Sequence, residues 1–106
     1  MWRSSTVTIP ATETQSPEID LSKLFPAGRL ALTVIAPTAL PEGVSVHIAR
    51  SVGEPYAALQ KEGADVSLTA GKGVPIEING PGAMKLVANG AVAEDREFTV
   101  LAVPMK

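Results

Sequence analysis

His47 is the single histidine of the sequence and the one side chain that titrates near neutral pH without help. It stands between Val46 and Ile48, and strand alternation sends it to the face opposite the valines. Its chemistry there would be that of a general base. No serine nucleophile motif and no partner acid is recognisable beside it, so an exposed strand histidine, or one at a subunit contact, is the simpler reading. The densest charge cluster is Glu94-Asp95-Arg96-Glu97. Carboxylates in tandem suit a hard cation. Here no Asp-x-Asp-x-Asp ladder follows and an arginine stands among the acids, which points to a solvated turn before the last strand. Asp20 and Asp65 are lone carboxylates on strand edges, where charge discourages edge pairing. Gly71-Lys72-Gly73 and Asn79-Gly80-Pro81-Gly82 have the glycine content of a phosphate cradle. Such a cradle needs a helix N-terminus behind it, and the residues after both read as strands. Both are therefore read as hairpin turns.

Composition narrows the chemistry further. With no cysteine and one histidine, the sequence offers no disulfide, thiolate metal site, cysteine nucleophile or histidine-rich metal centre within one chain. No cofactor, no metal and no enzymatic activity are expected. Lys plus Arg number 9 against 11 Asp plus Glu, a net charge of −2, which argues against nucleic-acid binding by a basic surface.

The elements that must position these residues follow a period of two. Val44, Val46 and Ile48 alternate with Ser45, His47 and Ala49. Val66 and Leu68, then Val74, Ile76 and Ile78, then Phe98 and Val100 repeat the pattern. Each is a half-buried strand. Thr6 to Ile9, Glu18 to Leu21, Arg29 to Ala36 and Ala83 to Ala88 are further strand candidates. Turn chemistry fills the gaps, with nine glycines and nine prolines concentrated there. Eight or nine short strands in 106 residues predict a single-domain, all-β antiparallel sandwich, with residues 1 to about 5 as a short N-terminal arm. Tyr56 to Glu62 reads as a strand or as a helical turn ending at Gly63, with the strand preferred because seven residues make a marginal helix. The N-terminus lacks the apolar stretch of a signal peptide, and the run from Leu30 to Leu40 is broken by Thr33, Pro37 and Thr38. The expectation is a soluble chain that stays on the cytoplasmic side of its synthesis, with no membrane partner.

Aromatic residues are four: Trp2, Phe25, Tyr56 and Phe98. Phe98 falls on the core face by alternation. Trp2 has little local structure to bury it, so it either packs back on its own domain or anchors a partner. The features also come in a particular order. Thr8-Ile9-Pro10 leads through Ser16 to Ile19-Asp20-Leu21, and a strand then leads to Ala36-Pro37-Thr38-Ala39-Leu40. Val44 to Ser51, the Tyr56-x-x-Leu59 pair, Gly63-x-x-Val66-Ser67-Leu68, Lys85-Leu86 and Arg96-x-Phe98-Thr99-Val100 follow. In this layout, from about Thr6 to Val103, the chain resembles small phage structural proteins that sit on capsids as cement or decoration proteins. Those proteins carry an aromatic after the Pro-Ala corner, another in the next strand, and Ser-Gly after the Lys-Leu strand. This chain has Leu40, His47 and Ala88-Asn89-Gly90 near those places, so the likeness is one of layout.

The resemblance implies a jelly-roll-like sandwich and a non-enzymatic role: binding the shell built by a major capsid protein, and stabilising it, at the virion surface. It supplies no catalytic residues. A seam between capsomers is symmetric, which implies a homodimer or homotrimer. Under this reading the interface candidates are Trp2 and Arg3 in the arm, Leu24 and Phe25 in a polar-flanked loop, and Leu40 beside Pro41. For each, core or loop packing is the competing role. The alternative function is a receptor- or carbohydrate-binding sandwich on a tail or fibre, which the scarcity of aromatic platforms counts against.

Overall fold

The computed structural model describes residues 3–21, 29–79 and 82–104, with residues 3, 29, 30, 78, 79 and 104 described by backbone only. Trp2, Leu24 and Phe25 lie outside the described residues, as does the side chain of Arg3.

Eleven strands are present among the described residues: β1 (Arg3–Ile9), β2 (Ile19–Asp20), β3 (Arg29–Ile35), β4 (Val44–Ala49), β5 (Ala57–Ala58), β6 (Gln60–Lys61), β7 (Ala64–Asp65), β8 (Ser67–Leu68), β9 (Gly73–Asn79), β10 (Ala83–Ala88) and β11 (Arg96–Pro104). Five of them are two residues long, too short for alternation to register in the sequence, which is why the count exceeds eight or nine. Every pairing is antiparallel, and the pairs are nested. β1 pairs β11, β2 pairs β10, β3 pairs β9, and β4 pairs both β5 and β8. Two further pairings, β11 with β3 and β10 with β4, knit the pairs into sheets ordered β1-β11-β3-β9 and β2-β10-β4-β5. This is the jelly-roll arrangement: an antiparallel ribbon folded over so that its pairs fall alternately into two facing layers.

Alternation fixes which face each strand buries. Val7, Ile9, Leu32, Val34, Ile76, Phe98 and Val100 line the inner side of the first sheet, and Val44, Val46, Met84 and Leu86 that of the second. Each such side chain contributes about 1.5–3 kcal/mol on burial. Gly82 immediately precedes β10 where the chain passes the end of β4, and a Cβ there would lie 2.6 Å from the Arg50 carbonyl oxygen. Its N–H donates to the Ala49 and Arg50 carbonyls at 3.1 and 2.9 Å.

One expectation is corrected, and one that stood between two readings is decided for the preferred strand. Arg3, Ser4 and Ser5, expected in an N-terminal arm, are the first residues of β1, because β11 continues to Pro104 and gives them Ala102, Leu101 and Val100 as partners. Tyr56 to Glu62 contains β5 and β6 and no helix; β5 is drawn onto β4 through Ala57 and Ala58, and turn residues Glu62 and Gly63, both at positive φ, reverse the chain into β7.

Candidate functional site

The outward face of the second sheet carries a cluster of polar side chains. Ser45 and His47 lie two residues apart on β4, and Lys85 and Val87 face them on β10. The Ser45 hydroxyl stands 3.2 Å from His47 Nε2 and 3.5 Å from the Val87 carbonyl oxygen. Lys85 Nζ donates to Gln15 Oε1 at 2.7 Å and sits 4.3 Å from the centre of the Tyr56 ring. The Tyr56 hydroxyl oxygen is shut off from solvent, without a partner at full hydrogen-bonding geometry among the described residues. Burial pushes its pKa up, and the nearby Glu18 carboxylate, which repels a phenolate, pushes the same way. Glu18 also accepts the Gly53 N–H at 3.3 Å.

This face has a serine beside its histidine, which the sequence reading did not pick out. A nucleophilic pair further requires a group that orients the second ring nitrogen and a donor pair for an oxyanion. Among the described residues, no group of three or more His, Cys, Asp and Glu side chains could hold a metal ion. What the face offers as it stands is a hydrogen-bonding surface with one cation, Lys85, held over an aromatic ring.

Arg96 departs from the solvated turn read over Glu94 to Glu97: Glu94, Asp95 and Glu97 are exposed, with Glu94 in a bend before the last strand, but the arginine turns inward. It is buried, 8% exposed, and lies directly opposite the fully buried Ile9. Its guanidinium grips Glu42 in a fork, Nε to Oε1 at 3.0 Å and Nη2 to Oε2 at 3.2 Å, while Glu94 stands 3.8 Å away. The bonds from Arg96 hold the Glu42 carboxyl below its usual pKa, and the same bonds raise that of Arg96. The signal was legible in the sequence: Arg96 shares its strand parity with Phe98 and Val100. Asp95, beside it, accepts the Ala11 N–H at 2.8 Å.

A cleft of about 670 Å³ opens where β3, β9 and β11 face the stretch from Leu59 to Val66. Leu32, Ile76, Leu59 and Val66 give it apolar walls, and Lys61 and Glu77 supply charges. Leu40, the interface candidate whose side chain is described, is half-buried and packs against the core. Arg3 contributes its backbone as the first residue of β1.

The sheet edges differ sharply. The edge strand β9 carries Pro75 and Glu77, both exposed. The far side of β4 is closed by β5 and β8, with Val46 N–H to Val66 O at 3.1 Å and Leu59 N–H to Val46 O at 2.9 Å between them. The outer side of β10 is covered by residues 14–20, where the Ser16 hydroxyl accepts the Leu86 N–H at 2.9 Å next to Pro17. β1 is the fourth edge. It is seven residues long, and Ser4 to Ile9 contains neither proline nor charge.

The solved structures that share this fold include two of note. One is the SPBc2 prophage-derived protein YomS, matched with a TM-score of 0.64 over 97% of this chain and 96% of that one, at 11% identity. The other is a chain of the Bacillus endospore appendages, which form a novel family of disulfide-linked pili; it matches with a TM-score of 0.53 over 100% of this chain and 88% of that one, at 13% identity. No family model and no curated protein sequence matches the chain. At these identities the likeness is one of fold, a phage-related one in the case of YomS. The present sequence has no cysteine, so the disulfide linkage of the pili has no counterpart in its side chains.

Proposed function

We propose that the chain is a virion structural protein that binds a phage capsid shell and stabilises it as a cement or decoration protein, without enzymatic activity. The observation that carries this reading is the near full-length match to a prophage-derived protein of the same fold. The sequence layout, which resembles capsid decoration proteins, supports it independently. The architecture suits the task. Two packed sheets joined by short connections resist deformation, and a multivalent unit placed across a seam leaves slowly even when each contact is modest. In this reading the partner is the major capsid protein and the location is the capsid surface of the virion. The receptor-binding alternative finds less support, because Tyr56 is already covered by Lys85 and Phe98 is fully buried.

The test is co-sedimentation of the purified protein with particles that lack it, counting bound copies by quantitative gel. Saturation at a stoichiometry matching the capsomer lattice, with a rise in particle melting temperature, is the expected result. A handful of copies per particle would move the protein to a tail or vertex. No binding would end the capsid reading.

A further inference from the structure

We propose that β1 is a self-pairing edge: two copies of this chain join antiparallel along Arg3–Ile9, fusing their first sheets into one eight-stranded sheet across a two-fold axis at Thr6. The proposal stands on the edge itself and does not depend on the capsid reading.

Natural sheets protect their edges with proline, charge, short strands or a covering segment, because an unpaired row of N–H and C=O groups is a template for another chain. Three of the four edges here are protected in those ways. β9 has Pro75 and Glu77. β5 and β8 are two residues each. The edge over β10 is interrupted by Pro17. β1 has none of these devices from Ser4 to Ile9, and among the described residues no strand pairs with its outer side. The connection that follows it does not fold back along it. Thr12 N–H to Val92 O at 2.8 Å, Val92 N–H to Glu13 O at 3.0 Å and Ala11 N–H to Asp95 tie that connection to the loop between β10 and β11. It therefore crosses the end of the sheet and leaves the side open.

The occupant follows from the sequence of the edge. An antiparallel two-fold centred on Thr6, the middle residue of the strand, sets Thr6 against Thr6, Ser4 against Thr8, Ser5 against Val7 and Arg3 against Ile9. No like charges meet. The outward row becomes Ser4, Thr6 and Thr8 of one copy beside Thr8, Thr6 and Ser4 of the other, and hydroxyl pairs of this kind stabilise adjacent strands. Thr6 and Ser4 are exposed in the single chain, so no rearrangement is needed to present them. A two-fold axis perpendicular to the sheet keeps inner face beside inner face, so the alternation of buried Val7 and Ile9 with outward hydroxyls runs on unbroken across the seam. The resulting strand order is β9-β3-β11-β1-β1-β11-β3-β9.

The absence of cysteine makes the test direct. Thr6→Cys places a single thiol opposite its own copy, within the Cα separation that a disulfide spans. Thr33→Cys, on the same outward face at the centre of the sheet, is the control. Sedimentation equilibrium of the wild type should give twice 11.0 kDa. Mild oxidation should convert Thr6→Cys to a covalent dimer and leave Thr33→Cys without a covalent link. Thr6→Lys, which sets two ammonium groups face to face, should sediment as a monomer with unchanged circular dichroism, and its melting temperature should lose the concentration dependence of the dimer. A wild type that stays monomeric at all concentrations overturns the proposal. So does a dimer that survives Thr6→Lys and leaves Thr6→Cys uncrosslinked. A monomer whose β1 amides gain hydrogen-exchange protection only on added capsids would also overturn it, by assigning the edge to a strand of the shell protein.

Discussion

Single side chains decide more here than their exposure in the sequence suggests. The Arg96–Glu42 fork closes one end of the sandwich, and neither charge can be left alone at small cost once it is shielded from water. Arg96→Met should therefore lower the melting temperature, and the double variant Arg96→Met/Glu42→Leu should recover much of the loss; thermal melts of the four proteins in the cycle measure the coupling. If the double variant is no more stable than Arg96→Met, the fork is not the reason for the loss. Ser16 tells a similar story with neutral groups. Its hydroxyl takes the place of a backbone carbonyl for the buried Leu86 N–H, and Ser16→Ala should destabilise by about 1–3 kcal/mol in chemical denaturation. Tyr56 is the converse case. Its hydroxyl has no well-formed bond to lose, so Tyr56→Phe should change stability by less than about 0.5 kcal/mol.

Elements in this fold are governed by what flanks them. A glycine leads into β10 because its neighbour's backbone is already there. Gly82→Ala forces a Cβ against the Arg50 carbonyl and should cost about 1–3 kcal/mol, read from the denaturation midpoint at constant m-value. A smaller loss would mean that the turn at Arg50 and Ser51 yields. The segment from Tyr56 to Leu68 could not be decided by propensity. Good helix formers became two-residue strands because β4 offered a free backbone edge, and tertiary pairing outweighs a helix too short to nucleate.

For the whole molecule, the Arg96–Glu42 fork sets an acid limit. Glu42 has a folded pKa below its ordinary value of 4.5. A carboxyl depressed by folding contributes stability that is fully present above its unfolded pKa and is lost as pH falls through the folded one. The melting temperature should therefore decline below about pH 4.5, and Glu42→Gln should show a shallower decline across that window. Parallel slopes in the two proteins would show that other carboxylates set the acid limit. The raised pKa of Arg96 lies beyond any pH at which the fold would be studied.

The class of fold was written in the sequence. Period-two runs such as Val44-Ser45-Val46-His47-Ile48, separated by glycine and proline, permit little other than a two-layer β structure, since each strand has one face to bury. Phe98 was legible as core for the same reason. Pairing order was not, because alternation says which face a residue takes and nothing about which strand lies beside it. The fork between residues 42 and 96, the serine hydroxyl bound 70 positions away at Leu86, and the closure of three edges but not the fourth are long-range facts. They were decided only when the ribbon folded over and set distant backbone and side-chain groups within hydrogen-bonding reach.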